Sequence, residues 1–139
     1  CRTPMPWQRN KTNAGFSEEK TWLPIPASHV NQVVDIQDSD SHSVLNAFRR
    51  FLAWRKLQPE LLWGDIEFLQ SPNDVLVFIR SHQGQKILAA FNLSTESVTL
   101  DLGEQEVTPL FNDGNALAQI NSQELILPPY GSAFARYLP

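Results

Sequence analysis

The chain has 139 residues, a formal net charge of −4, 42% apolar residues and 19% charged ones. That length suffices to bury a real core, while the charge makes no electrostatic case for nucleic acid or an anionic membrane as partner. The single cysteine, Cys1, excludes an internal disulfide and a zinc cluster, and no apolar run approaches the roughly 20 residues that a membrane helix needs.

Residues 1 to about 40 show no sustained hydrophobic period and are dense in Pro, Asn, Ser and Gly. Met5-Pro6, Leu23-Pro24 and Ile25-Pro26 each push the residue before the proline out of helical space. An irregular stretch this long reads as a functional loop or as part of something larger. Next, SHSVLNAFRRFLAWRKLQPEL predicts an amphipathic helix over residues 43–57. Ser41 or Ser43 is placed to cap it, and Leu45, Phe48, Leu52 and Arg55 fall at helical spacing. Val44 and Phe51 widen the stripe, so the helix needs a partner surface, and Pro59 stops it.

From Gly64 onward the pattern is short and β-rich. DIEFL, DVLVFIR, KILAAFN, SVTLDL, ELIL and SAFARYL predict strands, separated by the turn clusters QSPND, SHQGQ, FNDGN and PPYGS. DVLVFIR and KILAAFN should form a central hairpin. The fold class is mainly β: an antiparallel sandwich preceded by an irregular loop region and one helix. The expected division is a loop and helix over residues 1–60 and a β-domain over residues 61–139.

No complete catalytic set is present. Asp38, Asp40 and His42 alternate, but a calcium loop also needs a glycine and a late glutamate, and a solvated loop leading into a helix cap fits better. His29 and His82 lie in turn-like contexts without partners at ligand spacing. Cys1 has no activating neighbour, and no G-x-S-x-G elbow exists. No cofactor or metal is expected. Asn10-Lys11-Thr12 and Asn92-Leu93-Ser94 match the glycosylation sequon, a pattern of low specificity.

Three ordered blocks, RTPMPWQ at the start, NAGF at residues 13–16 and TWLPI at 21–25, carry a family resemblance. With SVLNAFRRFLAWRK, QPELLWG, LAAFNLS and LPPYGSA in the same order, the chain resembles the alpha-glucosidase branch of glycoside hydrolase family 13, the alpha-amylase superfamily. The resemblance covers essentially the whole chain. It implies a C-terminal portion: the last loop and helix of a (β/α)8 barrel, then an antiparallel β-domain. It further implies that the retaining pair of carboxylates lies upstream, in a missing N-terminal barrel of the same protein, and that the chain alone is inactive.

The resemblance also gives Arg2 a role, since the arginine of RTPM-x-W in the family reaches the sugar pocket and recognises the terminal non-reducing glucose. A planar fork of donors suits vicinal hydroxyls; in the isolated chain Arg2 is expected to lie in solvent, because an ordered terminus needs an anchor. The proline of RTPMPW, where many relatives have glutamine, resembles bacterial enzymes acting on short maltose-like or sucrose-like substrates, and so implies a cytoplasmic enzyme. Trp7 and Trp22 are expected to staple the loop to the barrel, and Trp54 and Trp63 to pack at the helix and the helix–sandwich junction. Two other readings stay open. Heavy subunits of amino-acid transporters share the barrel and β-domain, although they need no glucose pocket. A free-standing carbohydrate-binding β-module would explain the sandwich but not the leading loop and helix.

Overall fold

The computed structural model describes residues 2–72, 74–111, 118–121 and 123–138. The chain divides into two compact units, Cys1–Leu52 and Ala53–Pro139. In the first, the stretch read as irregular contains two 3-10 turns, Thr12–Gly15 and Ala27–Asn31, and one short helix, α1 (Val34–Ser39). Elements this short complete too few turns for a hydrophobic period to show. Val33 is fully enclosed and anchors this stretch, with Pro4 and Ala14 also buried.

Helix α2 (Val44–Arg55) follows. Of the two candidate caps it uses Ser43, whose hydroxyl oxygen accepts from Asn46 N at 3.2 Å and itself donates to Gln37 O at 2.6 Å. The helix ends at Arg55, two residues short of expectation. Pro59 does more than stop it: as the first residue of α3 (Pro59–Trp63), it starts a new turn where its missing N–H is not needed. No residue of α2 is fully buried, and Val44 and Phe48 remain 80% and 58% exposed.

All six expected strands form: β1 (Asp65–Phe68), β2 (Val75–His82), β3 (Gln85–Asn92), β4 (Val98–Asp101), β7 (Glu124–Leu127) and β8 (Ser132–Tyr137). Two shorter ones escaped the sequence pattern, β5 (Val107–Pro109) and β6 (Gln119–Ile120), because two or three residues cannot display alternation. The turn positions Asn73 and Asn112–Asn115, like Cys1, lie outside the described residues.

A five-stranded antiparallel sheet in the order β1-β2-β3-β8-β5 is paired with a three-stranded one, β4-β7-β6. Between them Val75, Val77, Ile79, Leu88, Ala90, Leu125, Leu127 and Ala133 close one core. The predicted β2–β3 hairpin is present in full register, from Val75 opposite Asn92 to His82 opposite Gln85. His82 therefore ends a strand, and the loop shrinks to Gln83 and Gly84, at φ 48° and 79°. Two consecutive positive φ values match the twist of the flanking strands.

The other face of the large sheet carries a run of rings. Trp54 lies 4.7 Å from Phe111 and 5.0 Å from Phe134, Phe134 meets Phe91 edge-on at 5.6 Å, and Phe91 stacks on Phe78 at 5.9 Å. The expectation that Trp54 packs is met. Trp63 differs, being 76% exposed. At about 100° per residue it lies across the helix from Leu61, and it is Leu61 and Glu60 that α3 turns inward.

Candidate functional site

Arg2 is exposed, and its loop is tied down a few residues further on. Pro4 is buried, Pro6 O accepts from Val34 N, and Trp7 O accepts from Asp35 N, each at 3.1 Å. The Asp35 carboxylate accepts in turn from Arg9 N at 3.1 Å. The chain leaving Arg2 is thus pinned along the start of α1.

The second block, NAGF, is the clamp for the first. Asn13, Ala14 and Gly15 are consecutively left-handed, at φ 48°, 52° and 73°. That turn aims Ala14 O at two donors of the RTPMPWQ block, Trp7 N at 2.8 Å and Gln8 N at 2.9 Å. Each non-glycine residue in this conformation costs about 1–2 kcal/mol. The cost is offset locally: Asn13 Nδ2 donates to Ser17 O at 2.9 Å and Glu19 O at 2.7 Å, and Ala14 is buried. A side chain on Gly15 would have the wrong φ and would meet Gln8 Cβ at 3.2 Å. Sustained local strain of this kind persists only where the surroundings over-determine it. Trp22, in the third block, is 86% exposed.

The acidic alternation before α2 is occupied with local work. Asp40 Oδ1 accepts from His42 N at 2.8 Å, Asp38 pairs with Arg49, and Asn46 Nδ2 donates to the carbonyls of Gln37, Asp38 and Asp40. This is the loop-into-cap geometry expected of SHS and its flanks.

In the second unit the remaining blocks are also fasteners. At Gly64 of QPELLWG, an added Cβ would collide with Glu60 O and lie 2.8 Å from Ser81 O. Glu60, buried in α3, accepts an ion pair from Arg136 Nη2 at 3.2 Å, and Arg80 Nη2 donates to Gly64 O at 2.6 Å. Asn92 of LAAFNLS is only 1% exposed. Its Nδ2 donates to Glu96 O at 2.7 Å and Pro128 O at 2.9 Å, while its Oδ1 accepts from Ser94 N at 3.0 Å and Ser94 Oγ at 2.8 Å. The sequon match at Asn92 is therefore overturned as a modification site, because its amide is buried and already bonded. Asn92 N also donates to Gly131 O, joining LAAFNLS to LPPYGSA.

Sequence reasoning missed both Asn92 and the Glu60–Arg136 pair. A polar residue closing the otherwise apolar run ILAAF, and an acid just after the helix-opening proline, were the available signals.

Comparison with known proteins places these blocks. Residues 1–64 match the family model described as Alpha amylase, catalytic domain, and residues 66–134 match Maltogenic Amylase, C-terminal domain. A protein of Rhizobium meliloti (strain 1021) named "Probable alpha-glucosidase" is 42% identical over 136 residues, 98% of this chain and 24% of its own length. Alpha-glucosidase MAL12 of Saccharomyces cerevisiae is 33% identical over 120 residues, 82% of this chain and 20% of its own. The crystal structure of an alpha-glucosyl transfer enzyme, XgtA, matches with a TM-score of 0.91 at 42% identity, over 99% of this chain and 26% of its own. The chain thus spans about a quarter of the length of these relatives. Among the described residues no helix is long and apolar enough to cross a membrane.

Proposed function

Because the chain belongs to the alpha-amylase superfamily, glycoside hydrolase family 13, as a C-terminal portion in its alpha-glucosidase branch, we propose that it completes an alpha-glucosidase. The enzyme removes terminal non-reducing alpha-linked glucose from short oligosaccharides with retention, using two carboxylates that lie upstream of this chain. This chain supplies the pocket loop that carries Arg2 and, from about residue 61, a structural β-domain. A cytoplasmic location belongs to the same proposal. The observation that carries the reading is the continuous 42% identity to a protein named as an alpha-glucosidase, through loop, helix and sandwich alike.

Two structural features support the parts of this reading. The clamp of RTPMPWQ by NAGF gives the Arg2 loop a defined path, which a recognition group requires. Val44 and Phe48 stand exposed on α2, a face suited to cover by the preceding barrel. The 42% identity to an alpha-glucosyl transfer enzyme favours a second outcome for the same glucosyl intermediate, its capture by an acceptor sugar in place of water.

The test is Arg2→Ala in the full-length protein. Losing a charged hydrogen-bond donor in a closed pocket costs about 1.5–3 kcal/mol, so kcat/KM on an alpha-glucoside should fall roughly 10- to 200-fold. Arg2→Lys should rescue poorly, since a point charge cannot replace a two-donor fork. A kcat/KM within about twofold of wild type would remove Arg2 from the pocket. A glucose product released first as the β-anomer would overturn retention, and glucosylated acceptors would identify transfer.

A further inference from the structure

The five-stranded sheet is wider than the three-stranded sheet that covers it, and its apolar face ends before the sheet does. In the register of β1, β2, β3 and β8, the row Ile79–Leu88–Ala135 is apolar, with Glu67 at its outer end opposite Ile79. One row further out, Ser81 lies opposite Lys86, and alternation places Tyr137 of β8 on the same face as Ala135. An inward face of a sandwich ordinarily stays apolar to its rim. Here it changes to hydrogen-bonding groups around an open cleft of about 520 Å³, whose lining also includes Gln105. That volume lies within the range of small-molecule sites, about 300–1,000 Å³.

The lining specifies a class of ligand. Ile79, Leu69 and the Tyr137 ring supply apolar surface. Around it stand an acceptor (Glu67), a donor (Lys86) and the Gln105 carboxamide, which both donates and accepts. One acid against one base leaves no net charge to select an ionic ligand. Burial, and then the Glu67 carboxylate, raise the Tyr137 pKa above 10.0, so its hydroxyl stays a donor at ordinary pH. An apolar plate ringed by groups of both polarities matches a pyranose, which has a C–H face and a rim of hydroxyls that donate and accept.

We propose that this cleft of the β-domain binds a pyranose unit of a neutral oligosaccharide or glucan. The inference rests on the lining itself and not on the glucosidase reading. The test is affinity electrophoresis of the full-length protein through gels containing soluble starch or dextran. It compares the wild type with the double variant Lys86→Ala, Gln105→Ala, both exposed positions where truncation leaves the core intact.

Wild-type protein should be retarded by at least one of the two glucans. The double variant should bind that glucan about tenfold more weakly, with its melting temperature and its turnover of a small chromogenic alpha-glucoside unchanged. Equal retardation of the two proteins, or no retardation of the wild type by either glucan, overturns the proposal. Retardation is read without turnover, so a protein that fails as a glucosidase can still pass this test.

Discussion

The two units hold their shape by different means. In Ala53–Pro139 a closed apolar core between two sheets does most of the work, and the polar groups buried there are bonded into the frame at Glu60 and Asn92. Among the described residues of Cys1–Leu52 few apolar side chains are buried, namely Pro4, Ala14 and Val33. That unit is held by backbone hydrogen bonds, prolines and a run of left-handed turns. The lesson is one of autonomy. A sandwich with its own core can resist local damage only up to the limit of that core, whereas a clamped loop can be disturbed without unfolding anything else.

The comparison is broken most severely at Gly64. Gly64→Ala forces a Cβ against the carbonyls of Glu60 and Ser81, which are backbone and cannot swing away. A loss of about 3 kcal/mol is expected, read as a collapse of the cooperative thermal transition or a drop of about 12–24 °C in its midpoint. A shift of under about 3 °C would show that α3 is not tied into the sandwich frame.

Asn92→Ala comes next. It strips partners from the Glu96 and Pro128 carbonyls and leaves a hole at a fully enclosed site, at a cost of about 2 kcal/mol. Urea unfolding should show a lower midpoint with the same slope. An unchanged midpoint would mean that the bonds between LAAFNLS and LPPYGSA are replaceable by water.

Gly15→Ala probes the other unit and should behave differently. Its φ of 73° and the contact with Gln8 cost about 1 kcal/mol. Because the unit has little core, the main thermal transition should move by only a few degrees. Limited proteolysis within residues 1–40 should accelerate by about fivefold. If the sandwich transition fell as far as in Asn92→Ala, the contrast between the units would be wrong.

The smallest effect is one of pH. Tyr137 keeps its proton in the folded chain to a higher pH than in the unfolded one, through burial and then through Glu67. The stability it lends is whole below pH 10.0 and declines as pH rises from there through the raised folded value. Tyr137→Phe should flatten the fall in melting temperature above about pH 10. An identical alkaline slope in both proteins would place the tyrosine in solvent.

Much of the fold was legible because its signals are local. Alternation in DVLVFIR and KILAAFN set the central hairpin, and the serine before VLNAF set the start of α2. The 3-10 turns, α1, β5 and β6 were not legible, since each is shorter than the window in which a period can be recognised. Arg2 was legible only through the company it keeps in RTPMPWQ, because a lone arginine in a loop carries no pattern of its own.

What the sequence determined by itself, then, was class and kinship: strands from alternation, a helix from spacing, and a family from blocks in a fixed order. What tertiary structure alone decided was why those blocks go together. NAGF is left-handed so that one carbonyl can hold Trp7 and Gln8, and Gly64 is bare because two carbonyls converge on it. Asn92 is polar because the turn that follows it and the distant Pro128 segment share one bonded hub. Some of these contacts are close in sequence, as between Trp7 and Ala14, and others are distant, as between Asn92 and Pro128. In each case it is the folded path of the backbone, and not a hydrophobic period, that brings the groups together.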